Sequence, residues 1–280
     1  PPQLLDVLRI SRKLHAASDR AFDITCRSVL ELWHEARRSG RLPGPLEVAA
    51  ARRASSWNGL RLHDDGASKR GDQVAVDLGG IAKGYGIDRA VDALQQAGMA
   101  GGLVDVGGDL RVFGTPPRRA QWHVEVQNPL GEGTIVTLAL DASAVCTSGS
   151  YHRYLEIDGR RYGHIIDPRG GWPVQGVPSV TVLAADATTA DAWATALSVL
   201  GEDGLERLPD GAEALLIEGD LGDRTHAEVA IEQTVTTFGR LDILINNAAL
   251  QWIDEDIENM SEERLRKMMD SNVMSYFFCT

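Results

Sequence analysis

The chain has 280 residues, 43% hydrophobic and 24% charged, a composition typical of a soluble globular protein with one or two domains. Its formal net charge of −12 argues against a non-specific nucleic-acid binder, which would present a basic surface. The three cysteines lie far apart without Cys-x-x-Cys spacing, so neither a zinc site nor a disulfide framework is expected. No run of 18 apolar residues predicts a membrane span.

The negative charge is unevenly distributed along the chain. The 61 residues from Asp220 to Thr280 contain 12 Asp or Glu against 5 Lys or Arg, which predicts two unlike parts. The sequence begins with Pro1 and Pro2, without an initiator Met, signal peptide or lipobox. We expect either that an export signal was removed or that the chain is a fragment.

Hydrophobic spacing predicts helices and strands in an irregular order over the first three quarters of the chain. The predicted helices cover residues 4–18, 25–38, 45–54, 81–98 and 189–200. A hairpin is predicted within 60–76, and strands at 74–78, 102–106, 112–114, 122–127, 134–140, 144–145, 151–157, 179–184 and 212–217, with a turn at 158–159. Helices at both ends of a run of strands predict an α+β fold.

The last part of the chain has a different order of elements. A helix is predicted at 226–238, a buried strand at 241–245 and a helix at 261–273, as in a parallel sheet. We therefore predict two domains, residues 1–217 and residues 218–280.

The first candidate motif is Asp-Leu-Gly-Gly-Ile-Ala-Lys-Gly-Tyr at residues 77–85, where a strand ends in a carboxylate and two glycines lead into a helix. Unpaired N–H groups at a helix N-terminus attract phosphate, and glycines let the backbone approach it closely. Lys83 adds a full positive charge. An ordinary strand-to-helix turn with a solvated lysine is the alternative.

The second motif is the stretch 105–109, and the third combines the stretches 147–151 and 164–168; they contain glycines or a titratable group near a turn. Asp-Val-Gly-Gly-Asp at 105–109 permits close ligand contact or a simple bulge. Thr-Ser-Gly-Ser-Tyr at 147–151 offers the hydroxyls of Ser148 and Ser150 to a phosphate or ribose. His-Ile-Ile-Asp-Pro at 164–168 places His164 at a strand end, either as a proton donor or acceptor or as a structural residue.

The fourth motif, Ala-Asp-Ala-Trp-Ala-Thr at 190–195, lies in a predicted helix. Asp191 and Thr195 are four residues apart, so their oxygens share one helix face. A carboxylate, a hydroxyl and a nearby carbonyl suit Mg²⁺ and a substrate phosphate. The alternative is a threonine that bonds back to the carbonyl four residues earlier.

Taken in this order, the four motifs resemble the ApbE family of FAD:protein FMN transferases. The stretch Ala-Phe-Asp-Ile-Thr at 21–25 and the helix that follows it to Trp33 also resemble that family. The resemblance covers about residues 1–217. It implies an ApbE-like, T-fold-like mixed-sheet domain of the α+β class.

The resemblance implies site residues position by position. The FAD site would be lined by Asp77, Lys83, Ser148, His164 and Ile165. His164 would also help to deprotonate the acceptor hydroxyl. Mg²⁺ would be bound by the Gly80 carbonyl, Asp191, the Ala194 carbonyl and Thr195.

The implied reaction is Mg²⁺-dependent transfer of FMN from FAD to a Thr or Ser hydroxyl of an acceptor flavoprotein, with release of AMP. Attack by water would make the site an FAD pyrophosphatase, and a flavin-binding module without turnover is a further alternative. The resemblance suggests the cell envelope, at the outer face of the inner membrane or in the periplasm. Membrane association is expected only through a lost lipoprotein anchor, and no nucleic-acid partner is expected.

Two departures from the family pattern bear on flavin binding. The family normally has a segment before the first helix, with a Met-Gly-Thr-like stretch that helps to close the flavin site, and this sequence begins at the helix. Gly170 stands where the family usually has Thr after Asp-Pro-Arg. Either departure is expected to weaken flavin binding.

From about Glu218 the sequence resembles the middle of a short-chain dehydrogenase. The resemblance rests on Gly-Asp-Leu-Gly-Asp at 219–223, on Asn-Asn-Ala-Ala at 246–249 after an apolar strand, and on Ser-Asn-Val at 271–273. It implies a partial α/β Rossmann-type fragment, and in a full fold Asp220 and Asn246 would touch an adenosine, but no hydride transfer is expected here. The sequence lacks the Gly-rich phosphate turn and the Tyr-x-x-x-Lys pair. An NAD(P)-dependent oxidoreductase is therefore the least favoured of the candidate functions. The chain is predicted to be chimeric, a join of two unrelated pieces.

Overall fold

The computed structural model of the chain describes residues 1–71, 74–128, 133–149, 154–157, 160–174, 177, 179–217 and 266. The chain divides into two compact units: Pro1–Glu125 with Thr137–Ile217, and Val126–Val136 with Glu218–Thr280. The elements predicted at 226–238, 241–245 and 261–273, and the turn at 158–159, lie outside the described residues. The assignment of domains to residues 1–217 and 218–280 stays a prediction.

Five α-helices lie in the described part of the chain: α1 Pro2–Ala17, α2 Arg27–Ser39, α3 Pro45–Ala54, α4 Ala82–Gln96 and α5 Ala187–Leu200. α2 buries Val29, Trp33 and Ala36, which are spaced to share one face. α5 begins two residues before the predicted start, because the Asp186 side chain caps it by accepting the Thr189 N–H at 2.8 Å. None of these helices combines the length and apolar composition needed to cross a membrane.

The described strands of the first half are β1 Leu60–Leu62, β2 Ala67–Lys69, β3 Gly102–Val106, β4 Asp109–Phe113, β5 Trp122–Gln127 and β6 Thr134–Leu140. Those of the second half are β7 Ala144–Gly149, β8 Tyr154–Ile157, β9 Arg160–Gly163, β10 Ile166–Asp167, β11 Trp172–Pro173, β12 Ser179–Ala184 and β13 Glu213–Ile217. The largest sheet has the order β13-β12-β7-β4-β3, and each neighbouring pair is antiparallel. The other strands pair as β1-β2, β5-β6, β8-β9 and β10-β11.

The strand predicted at 74–78 is wrong. The segment is extended but lies outside the described sheets. Val74, Val76 and Leu78 are half-buried against the core, which explains the alternating pattern that predicted a strand. The backbone is held instead by the Asp77 N–H, which donates to the Ile24 carbonyl at 2.7 Å. An alternation of apolar and polar residues indicates which side chains are buried. It can occur in an extended segment that has no hydrogen-bonded neighbouring strand.

The main hydrophobic core lies between α5 and the sheet. α5 packs against β7 and β12, and its small residues Ala190, Ala194 and Ala196 allow a close approach. α4 packs against α5 and against β3 and β4. The two helices therefore meet beside the central strands, and the N-terminus of α4, which follows the Gly79-Gly80 turn, lies close to α5.

The contact between α4 and α5 depends on the absence of a side chain at Gly84. A Cβ at this position would lie 2.1 Å from the Ala187 carbonyl oxygen and 2.8 Å from the Asp191 Cβ. Backbone atoms cannot move aside as a flexible side chain can, so any residue larger than glycine must separate the helices. Gly86, two residues along the same helix, has nothing within 4 Å of such a Cβ.

We predict that Gly84→Ala and Gly86→Ala have opposite effects on stability. The first should lower the free energy of unfolding by about 2 kcal/mol or more through overpacking against the α5 backbone. The second should raise it by about 0.5–1 kcal/mol, because alanine is the better helix former. Urea unfolding followed by circular dichroism tests both variants. Equal midpoints for the two variants would contradict this account of the helix contact.

Candidate functional site

The Gly79-Gly80 turn and the Asp191-Thr195 face of α5 lie together. A Cβ at Gly80 would be 2.9 Å from Thr195 Oγ1 and 3.3 Å from Phe22 Cε2, so the turn is in direct contact with Thr195. Thr195 Oγ1 also lies 3.3 Å from Ser148 Oγ on β7. The Thr195 hydroxyl therefore faces the turn and the sheet. This position favours the metal-site interpretation over the alternative, in which the hydroxyl would bond to a carbonyl of its own helix.

Asp191 connects the two helices at the same place. Its side chain is only 3% exposed, and its Oδ2 accepts the Gly84 N–H at 2.9 Å. In an uninterrupted helix this N–H would donate to the carbonyl of Gly80, four residues earlier. Its donation to Asp191 leaves the Gly80 carbonyl without a backbone N–H partner within the described ranges. Gly80, the residue whose Cα side contacts Thr195, thus has a carbonyl oxygen that no helix N–H occupies in the described part of the chain.

Burial raises the pKa of Asp191 to about 6, because the low-dielectric interior disfavours the charged carboxylate. The Gly84 N–H and the Lys83 charge act in the opposite direction, and the Asp109 carboxylate adds to the increase. A buried carboxylate that is costly to ionise and lies beside other oxygens is suited to a bound cation, which would stabilise its charge.

Lys83 is anchored by a buried carboxylate that the sequence analysis did not assign a role. Its Nζ forms an ion pair with Asp109 Oδ2, and Asp109 Oδ1 accepts the Thr147 N–H at 2.9 Å. Burial alone would lower the pKa of Lys83, but the hydrogen bond and charge of Asp109 outweigh this effect, and the net pKa is raised. Lys83 therefore stays charged, and Asp109 links it to the strand that carries Ser148.

Asp77 holds the start of the glycine turn. Its Oδ1 accepts the Gly79 N–H at 2.9 Å, and its Oδ2 lies 3.3 Å from Arg27 Nη1 on α2. Arg27 is a second residue that sequence reasoning did not assign, since it lies 50 positions away from its partner and shows no regular spacing with it. This partly exposed ion pair places a guanidinium at the edge of the candidate site.

His164 and Ile165 belong to the segment between β9 and β10. His164 is exposed, and the Ile165 carbonyl accepts the Val174 N–H at 2.9 Å. The turn between β10 and β11 is bonded to α2, because Trp33 Nε1 donates to the Gly171 carbonyl at 2.9 Å. A Cβ at Gly170 would meet nothing within 4 Å, so this position has room for the side chain that the family usually carries.

The sequence-predicted residues thus fall into three groups. The first, Gly80, Ser148, Asp191 and Thr195, lies where the turn, β7 and α5 meet. Lys83 and Asp77 flank this group through their partners Asp109 and Gly79. His164 and Ile165 lie in the segment between β9 and β10. Ser150, Asp220 and Asn246 lie outside the described residues.

The donor atoms in the first group fit a hard cation. The Gly80 carbonyl, the Asp191 carboxylate and the Thr195 hydroxyl are all oxygens, which Mg²⁺ prefers. Ala194 fits less well, because its carbonyl accepts the Ser198 hydroxyl at 2.8 Å and that hydroxyl would have to rotate away. Over the described ranges, no three His, Cys, Asp or Glu side chains are grouped to hold a metal by themselves. A cation here would depend on backbone and hydroxyl oxygens and on the substrate.

Comparison with known proteins agrees with the fold and with the motif order. Residues 1–216 match the protein family described as ApbE family, and residues 180–280 match the protein family described as short chain dehydrogenase. A crystal structure of the ApbE protein from Thermotoga maritima is 36% identical, with a TM-score of 0.72, and the match covers 78% of this chain and 74% of that one. The fold is therefore the α+β fold of this class of proteins, as the sequence predicts.

The chain belongs to the ApbE family. A relative from Vibrio cholerae named FAD:protein FMN transferase is 34% identical over 206 residues, which cover 72% of this chain and 62% of the relative. A relative of the same name from Salmonella typhimurium is 33% identical over 207 residues, covering 71% of this chain and 59% of the relative. The chain thus spans about three fifths of the length of these curated relatives.

We predict that Asp191 lowers the stability of the metal-free protein at neutral pH. Its pKa is about 6 when folded and close to 3.8 when unfolded, so the folded state binds the proton more tightly. The free energy of unfolding should therefore fall by about 1.4 kcal/mol per unit as the pH rises from about 4 to about 6. Asp191→Asn keeps an acceptor for the Gly84 N–H and removes this titration.

Urea unfolding in EDTA tests this prediction between pH 4 and pH 7. The difference in stability between Asp191→Asn and the wild type should grow by roughly 2–3 kcal/mol in favour of the variant over this interval. A wild type that is equally or more stable than the variant at pH 7, with a constant difference across the range, would refute the buried-charge account.

Proposed function

We propose that this chain transfers FMN from FAD to a Thr or Ser hydroxyl of an acceptor protein, with Mg²⁺ as cofactor and AMP as the second product. The observation that carries the proposal is the meeting of the Gly80 turn with Asp191 and Thr195. The name of the relatives, FAD:protein FMN transferase, supports transfer of FMN from FAD to a protein. We further propose that the reaction takes place in the cell envelope, as the family resemblance suggests.

The residues around this meeting point suit a dinucleotide diphosphate. Lys83 stays charged beside Asp109 and offers its ammonium to a phosphate oxygen. Ser148 offers a hydroxyl from the sheet side, next to Thr195. Fewer backbone donors are available than the sequence suggested, because the Ala82 N–H donates to the Leu78 carbonyl and the Gly84 N–H to Asp191. Side chains would therefore do most of the phosphate binding.

Mg²⁺ would be held by the Gly80 carbonyl, Asp191 and Thr195, and when bound it would neutralise the diphosphate charge. In the proposed step the acceptor oxygen forms a bond to the FMN-side phosphorus. The bond from that phosphorus to the bridging oxygen breaks, and AMP leaves with the bridging oxygen. The acceptor proton passes to the exposed imidazole of His164.

Replacement of Asp191 by Ala should abolish metal-dependent turnover. The variant removes the one carboxylate among the proposed metal ligands, and AMP release from FAD should fall by at least about 100-fold. Asp203→Ala is the matched control, because it removes the same charge from an exposed position just beyond α5. Chromatography of the nucleotides measures AMP, and flavin fluorescence of a Thr-containing peptide measures transfer.

The same assay separates transfer from hydrolysis. AMP release that requires the peptide identifies a transferase, whereas equal release without the peptide identifies an FAD pyrophosphatase. FAD binding without AMP from the wild type, with fresh Mg²⁺ present, would contradict the proposed reaction and leave a flavin-binding module.

His164→Ala should lower kcat by about 100-fold or more while the apparent affinity for FAD changes less, because general-base catalysis typically contributes this much. His123→Ala is the control, since His123 is also exposed, on β5. Steady-state rates at saturating FAD test the role. Equal rates for the two variants would remove His164 from the proposed mechanism.

A further inference from the structure

We propose that Asp88 is a positioning residue, which sets the rotation of α5 and thereby turns Asp191 and Thr195 towards the Gly80 carbonyl. The proposal rests on the proposed metal site and names a residue outside it. Asp88 is buried on α4, one helical turn after Gly84.

The Asp88 carboxylate holds the first turn of α5. Its Oδ1 accepts the Ala187 N–H at 2.9 Å, and its Oδ2 accepts the Thr188 N–H at 2.8 Å and the Thr188 hydroxyl. The first N–H groups of a helix have no partner within the helix, and an anion there also offsets the helix dipole. Two oxygens on two consecutive N–H groups fix both the position and the direction of this turn.

The same carboxylate is tied to the sheet. Arg111 on β4 donates from Nη1 to Asp88 Oδ1 at 2.7 Å, and the Arg111 side chain is 23% exposed. Asp88 therefore links α5 to α4 and, through Arg111, to the central sheet. The Asp186 side chain also caps α5, but it accepts from Thr189 on its own helix and so does not relate α5 to α4.

α4 and α5 are therefore hydrogen-bonded to each other at two positions, which lie one helical turn apart on each helix. Asp88 meets Ala187 at one position, and Gly84 meets Asp191 at the other. Two such points prevent α5 from rotating about its axis or sliding along it. Because Thr195 is one further turn along the same face, its distance from the Gly80 turn follows from this register.

The test compares Asp88→Asn and Asp88→Ala with Asp186→Ala in the full chain. All three weaken the capping of α5, but only the Asp88 variants weaken the link between α5 and α4. The Gly84 N–H donates to Asp191, so its hydrogen exchange reports whether that contact is kept. Mn²⁺ serves as the probe of the metal site, with free Mn²⁺ measured by electron paramagnetic resonance.

Both Asp88 variants should exchange the Gly84 amide at least about tenfold faster than Asp186→Ala does. The dissociation constant for Mn²⁺ should rise by about tenfold or more in the Asp88 variants and by less than about threefold in Asp186→Ala. Asp88→Asn retains the shape and one acceptor oxygen, so it keeps the test valid if Asp88→Ala does not fold.

Equal Gly84 exchange, or equal Mn²⁺ affinity, in Asp88→Asn and Asp186→Ala would overturn the proposal, because capping alone would then explain the role of Asp88. A wild type that binds no Mn²⁺ would instead contradict the proposed function. In that case the Gly84 exchange rates alone decide whether Asp88 sets the position of α5.

Discussion

The hydrogen bond from the Gly84 N–H to the Asp191 carboxylate is the constraint on which the candidate site depends. It can form only because Gly84 has no side chain, so that the α4 backbone reaches the Ala187 carbonyl and the Asp191 Cβ. It holds Asp191 at the N-terminus of α4. It also takes away the N–H that would otherwise occupy the Gly80 carbonyl. One contact therefore prepares two of the three proposed metal ligands.

This contact has an energetic cost that is consistent with a ligand-binding role. A carboxylate buried to 3% exposure is unfavourable as an anion unless it gains a partner, and one N–H does not fully compensate for lost water. The nearby Asp109 adds repulsion, although Lys83 neutralises it in part. Burial and the Asp109 and Asp191 charges also raise the pKa of the Cys146 thiol on the adjacent strand, so Cys146 stays protonated. An added cation would relieve this accumulation of negative charge.

The sequence predicts those parts of the site that depend on local spacing. Asp191 and Thr195 share a helix face because they are four residues apart, and the Gly79-Gly80 turn precedes α4 as expected. The order of motifs also identifies the family. Alternation at 74–78 predicts a strand where the chain is extended and unpaired, because burial of Val74, Val76 and Leu78 produces the same pattern.

Long-range partners could not be predicted in this way. Asp88 is 99 positions from Ala187, and Arg27 is 50 positions from Asp77, so neither pair leaves a local signal. Asp109 stands in a motif that was recognised, yet only the fold shows that it anchors Lys83.

The measurement that tests the central claim most directly is a crystal structure of the chain soaked with FAD and Mn²⁺, with data collected at the manganese absorption edge. The account predicts an anomalous peak within coordination distance of the Gly80 carbonyl, Asp191 and Thr195, on the same side as the FAD diphosphate. A diphosphate bound elsewhere, or a manganese peak away from these three oxygens while FAD is bound, would contradict it.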